Sequence, residues 1–99
     1  MIKHIVFWRV IAQDDPGKAV AIEFIREQLE PLVGVIPGLR SLSVHASVAE
    51  PRGNWDAVLL SEFATVEDLQ AYQVHPSHLV AGTTALTVCS DVTEIDVEL

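Results

Sequence analysis

One cysteine in 99 residues excludes an internal disulfide and any zinc site built from thiolates. A lone Cys89 fits a reducing compartment. Only six lysines and arginines stand against fourteen acidic residues, so a formal charge of −8 excludes the clustered basic surface that a phosphate backbone requires. No nucleic-acid partner is expected. No apolar run approaches the ~20 residues of a membrane-spanning helix. The opening Met1-Ile2-Lys3-His4-Ile5-Val6 lacks the apolar stretch and cleavage pattern of a signal peptide. Repeats of solenoid period and low-complexity tracts are also missing. Aromatic residues are scarce at 6%, yet 49% of the chain is hydrophobic, which is ample for a packed core. The expectation is one cytoplasmic domain over residues 1–99 with no membrane partner. Its size is near the lower limit for a self-sufficient core, where a second subunit helps.

Lys3 to Val10 alternate as a strand, with His4, Val6, Trp8 and Val10 on one face and Ile5 and Phe7 on the other. Apolar groups on both faces predict that each is covered. Asp14-Asp15-Pro16 predicts a helix start with a carboxylate cap, and the helix is expected to run from about Pro16 to Leu32. Ile22, Ile25, Leu29 and Leu32 form its buried stripe, and Phe24 lies off it. After the turn Ile36-Pro37-Gly38-Leu39, residues Leu39 to Val48 read as a second strand and Trp55 to Phe63 as a third. The loop Glu50-Pro51-Arg52-Gly53-Asn54 would close them into a hairpin. His45 falls in the polar row of the second strand and reads as a surface ring. Trp55 is expected to share a face with Ala57, Leu59 and Phe63. Thr65, with Asp68 three residues on, predicts a capped helix. The β-branched alternation of Val92 to Val97 predicts a last strand. The order strand, helix, strand, strand, helix, strand gives an α+β class: a ferredoxin-like βαββαβ fold with a four-stranded antiparallel sheet. Ile5, Phe7, Leu42, Val44, Val58 and Leu60 are expected to form the face that a second copy buries.

Chemistry is concentrated in Gln70-Ala71-Tyr72-Gln73-Val74-His75-Pro76-Ser77-His78. Pro76 lacks an N–H and disfavours helical geometry at His75, so one helix ends near Val74 and another starts at Pro76. His78 then falls in the first turn, where the helix dipole opposes protonation and favours a neutral, proton-accepting imidazole. Tyr72 supplies a phenol one turn earlier. Packed rings and a capping His75 would account for the same residues.

Lys3-His4-Ile5-Val6-Phe7, Ile36-Pro37-Gly38-Leu39, the Leu60 to Phe63 strand before an acidic helix, the Tyr72-x-x-His75-Pro76-x-His78 block and the terminal Asp96-Val97 together resemble the stress-responsive A/B barrel family. The resemblance spans essentially the whole chain. It implies a homodimer in which two four-stranded sheets pack face to face as an α+β barrel. Function is less uniform than fold in that family, since many members have no assigned reaction. The plant olivetolic acid cyclase closes a polyketide chain by aldol condensation. Its catalytic tyrosine and histidine match Tyr72 and His78, and a histidine in its pocket matches His4; two further polar pocket positions are Ala57 and Leu29 here.

Two readings follow. One is a non-catalytic dimer that binds a small hydrophobic ligand, in an apolar pocket lined by Trp8, Ile25, Leu29, Leu59 and Leu79, or serves as a structural or stress-related protein. The other is a proton-transfer enzyme on a carbonyl-containing ligand. His78 would be its base, Tyr72 would hydrogen-bond the enolate oxygen and His4 would orient them. A metal held by His4, His75 and His78 is disfavoured because Pro76 directs the two nearby rings apart, and no cofactor signature is present.

Overall fold

A computed structural model describes residues 1–49 and 54–99, so the expected loop, Asn54 apart, lies outside the described residues. Strand β1 (Ile2–Val10) occupies the centre of the sheet, pairing with β3 (Ala57–Phe63) on one side and β4 (Cys89–Glu98) on the other. Strand β2 (Ser41–Ala46) pairs with β3, giving the antiparallel order β2-β3-β1-β4 expected for a ferredoxin-like fold. Helices α1 (Asp15–Leu29), α2 (Val66–Val74) and α3 (Pro76–Leu86) complete the βαββαβ pattern, the second helical unit being split in two.

Strict two-residue alternation in β1 buries Ile2, His4, Val6, Trp8 and Val10 on the inner face of the sheet. Against them lie Ile22, Ile25 and Leu29 of α1, Leu69 and Tyr72 of α2, and Ala81 and Ala85 of α3. The outer face carries Ile5 opposite Leu60 and Ile95, and Phe7 opposite Val58 and Thr93. Leu42 and Val44 do not belong to it. They pair with Ser61 and Leu59 and are buried under α1, while Ser43 and His45 occupy the outer positions. Register decides this: the apolar row of β2 must align with the inner row of β3, which contains Leu59, and not with Val58 and Leu60. Trp55 also departs from expectation. It precedes β3, and its ring meets Phe7 at 6.3 Å and stacks under the Arg9 guanidinium at 4.0 Å, both outer-face residues.

Helix α1 stops at Leu29, three residues short of the expected end, and continues as a single 3-10 turn over Glu30–Leu32. Pro31 is the reason, since it offers no N–H and its ring crowds the preceding turn. Leu32 still completes the buried stripe. At the other end Asp14 holds the N-cap backbone position, but its carboxylate makes no capping hydrogen bond. Three residues fasten α1 to the neighbouring strands. Lys18 pairs with Asp56 at 3.0 Å, Arg26 donates to the Val44 carbonyl at 3.0 and 3.2 Å, and a Glu30 carboxylate oxygen accepts from the Val44 N–H at 3.0 Å.

The expected cap of α2 is present: Thr65 Oγ1 accepts from the Asp68 N–H at 3.1 Å. Replacing Thr65 by Ala should cost about 1 kcal/mol, read as a lower midpoint of chemical denaturation with an unchanged slope. The helix carries Tyr72, so this loss would be transmitted to the site below.

Candidate functional site

The break at Pro76 shapes the site. His75 caps both helices with extended backbone, its own amide donating to the Tyr72 carbonyl and its Nδ1 accepting from the Ser77 N–H at 3.1 Å. That bond commits the His75 ring to the turn. His78, the third residue of α3, turns back to donate Nδ1–H to the Gln73 carbonyl at 3.1 Å. A carbonyl only accepts, so the bonded Nδ1 carries the proton and, in the neutral ring, Nε2 keeps its lone pair. Burial lowers the His78 pKa below 6.5. The Gln73 carbonyl and Glu94 work against that shift, and the imidazoles of His4 and His75 reinforce it. The direction is that expected from a helix N-terminus, but the leading cause is desolvation. Because the fold prefers the neutral ring, the unfolded chain takes up the proton first. The His78 contribution to stability is therefore full above pH 6.5 and is lost as pH falls below it.

Tyr72 lies flat in the core between three rings: His78 at 4.2 Å, Phe63 at 5.1 Å and His4, edge-on, at 6.3 Å. Burial pushes its phenol well above the usual tyrosine range, and the Glu94 carboxylate adds to the shift. His4 is 3% exposed and sits between two carboxylates of β4. Its Nδ1 donates to Asp96, the residue directly opposite in the β1–β4 pairing, and its Nε2 lies 3.9 Å from Glu94. The three residues singled out as candidate acid–base groups thus come together in space.

They line one cavity of about 280 Å³ between the inner face of the sheet and α3. Trp8, Leu29, Leu59 and Leu79 line it, whereas Ile25 is wholly enclosed in the core beneath. Val6, Gly82, Thr83, Leu86, Val92 and Glu94 complete the lining, and no motif in the sequence marks them. Glu94 was legible in principle. It shares the period-2 row of Val92 and Asp96, but placing that row inward requires the β1–β4 register. Gly82 lies beside the His78 ring in the lining: an added Cβ there would stand in ordinary contact, 3.7 Å from His78 Nε2. Leu79, 53% exposed, and the half-exposed Glu94 side chain mark the side facing solvent. Elsewhere His45 is a surface ring bonded to Ser43 at 2.9 Å. Among the described residues no group of three or more His, Cys, Asp or Glu is arranged to hold a metal ion, and no helix is long and apolar enough to cross a membrane.

A four-stranded ferredoxin-like sheet, helices on one face and an apolar cavity closed by a Tyr–His pair define the class. The chain belongs to the stress-responsive A/B barrel domain family, whose model matches residues 2–99. No curated protein matches it in sequence. Among solved structures it is similar to a dimeric Bacteroides fragilis protein of unknown function with a ferredoxin-like fold. The identity is 27% and the TM-score 0.82, over 99% of this chain and 95% of that one. A dimeric ferredoxin-like protein of unknown function from Thermobifida fusca is 24% identical, with a TM-score of 0.79 over 99% of this chain and 90% of that one. The hydroxynitrile lyase of Passiflora edulis is 19% identical, with a TM-score of 0.79 over 97% of this chain and 90% of that one. The last two likenesses concern the fold alone.

Proposed function

We propose that this protein is a cytoplasmic homodimer, joined through the outer face of the sheet, that holds a small hydrophobic ligand between sheet and helices without turning it over. The observation that carries the reading is the cavity itself. Its 280 Å³ exceed the ~150 Å³ in which an apolar cavity takes up benzene, and aliphatic side chains and Trp8 make its walls. A few polar groups at one end would orient the guest. The dimeric state of the Bacteroides fragilis protein supports the assembly.

The test is an NMR titration of the four histidines with phenolic and β-polyketone ligands. The expected result is a His78 pKa below 6.5, with the His78 and His4 signals moving on ligand addition before that of His45. Perturbation of His45 alone would place binding elsewhere and remove the reading.

One observation favours a second reading, a proton-transfer enzyme acting on a carbonyl compound. His78 Nε2 faces the cavity as a neutral acceptor with the Tyr72 ring 4.2 Å away, which is the equipment for removing a proton alpha to a carbonyl. Exchange of that proton for deuterium, followed on a panel of enolisable ketones, separates catalyst from binder.

A further inference from the structure

The polar end of the cavity is unusual in the sign of what it offers. Glu94 projects from the inner face of β4 as a carboxylate and is an acceptor only. His78 spends its N–H on the Gln73 carbonyl, so Nε2 presents a lone pair. Tyr72 contributes an oxygen that can accept or donate. The remaining polar groups of the lining are His4, whose Nδ1–H goes to Asp96 and whose Nε2 stands 3.9 Å from Glu94, and Thr83, which bears one hydroxyl. Among the described residues the lining contains no lysine or arginine, and the protein as a whole carries a formal charge of −8.

We infer that the cavity selects a small apolar amine, its ring or chain against Trp8, Leu29 and Leu59 and its ammonium received by Glu94, His78 Nε2 and the Tyr72 oxygen. The inference rests on the ligand-binding reading and deepens it by naming the ligand class. An ammonium brings three donors and a positive charge to a site that supplies three acceptors and a negative one. A carboxylate or an enolate would meet Glu94 as a like charge across a partly desolvated space. Burial, with the Glu94 charge adding to it, raises the Tyr72 phenol, which opposes any anion formed there. Glu94 is thus the residue that sets specificity, while the apolar walls set size.

Three ligands of matched shape test this: phenethylamine, phenethyl alcohol and phenylacetate, titrated by calorimetry and by the His78 NMR signals into the wild type, Glu94→Gln and Glu94→Lys. Glu94 is half exposed, so both variants should fold, which the NMR spectra will check. The amine should bind about tenfold more tightly than phenylacetate. Glu94→Gln should weaken the amine about five- to tenfold and leave the alcohol unchanged, while Glu94→Lys should shift the preference to phenylacetate. Equal binding of amine and carboxylate, or a uniform loss of all three in Glu94→Gln, would overturn the assignment while leaving the cavity reading intact. If no member of the series moves the His78 signals, the cavity reading fails and takes the amine with it.

Discussion

Leu60→Asp should convert the protein from a dimer to a monomer. Leu60 stands at the middle of the outer face, opposite Ile5 on β1 and Ser43 on β2, with Val58 and Ile95 nearby in the same layer. In a single protomer the centre of that layer, Ile5, Phe7, Val58 and Leu60, is apolar and only partly covered, the condition in which a second sheet gains most by docking. The layer's cations are already engaged, Lys3 with Glu62 at 3.2 Å and Arg9 with Asp91 at 3.5 Å and the Trp55 ring, so an aspartate there would enter the interface without a dedicated counter-charge. Burying an uncompensated charge in a protein interface costs about 3–5 kcal/mol, which is enough to dissociate a dimer of moderate affinity. Sedimentation velocity reads the outcome, and far-UV circular dichroism confirms that the protomer remains folded. A dimer of undiminished stability would mean that the copies meet elsewhere.

The second large effect concerns proton transfer. If α-proton exchange on a ketone is detected, His78→Ala should reduce it by about 10²–10⁴-fold, the usual contribution of a positioned general base. Tyr72→Phe keeps the ring packed against Phe63 and His78 but deletes the hydroxyl, so its loss should appear in kcat with little change in stability. His75→Ala should do far less to the chemistry, because its Nδ1 is spent on the Ser77 amide. Equal losses from His75→Ala and His78→Ala would assign both rings to the helix break and none to a reaction.

The sequence carried the elements but not always their sides. Alternation in β1 and the Pro76 break were readable because each depends on neighbours in the chain: a two-residue period in one case, a missing N–H in the other. Thr65 belongs with them, since a cap is a local device. The errors lie where distant segments meet. Leu42 and Val44 read as outward in the sequence because alternation within β2 says that they share a side, not which side, and only pairing with Leu59 and Ser61 decides that. Ile25 reads as a pocket residue for the same reason: it belongs to the right stripe of α1, but Leu29, one turn on, is the member that reaches the cavity. The end of α1 is a different case. Pro31 was visible in the sequence, and the apolar period running on to Leu32 outweighed it. Glu94 is not legible in the sequence by itself because a glutamate in an acidic terminal strand looks like a solvated residue until the register sets it opposite Val6 and beside His4.

The fastening of α1 to Val44 bears on how copies of this protein can meet. Strand β2 is an outer strand of the sheet, and the Val44 N–H and C=O point away from β3, toward the position where a further strand would add. Glu30 and Arg26 take up both groups, so at that point an incoming backbone finds neither donor nor acceptor. A guanidinium and a carboxylate thus act as a molecular stopper, and extension of the sheet past β2, the route to open-ended polymers, is interrupted at its midpoint. Removing either charge would uncover a backbone group while leaving the inner core untouched.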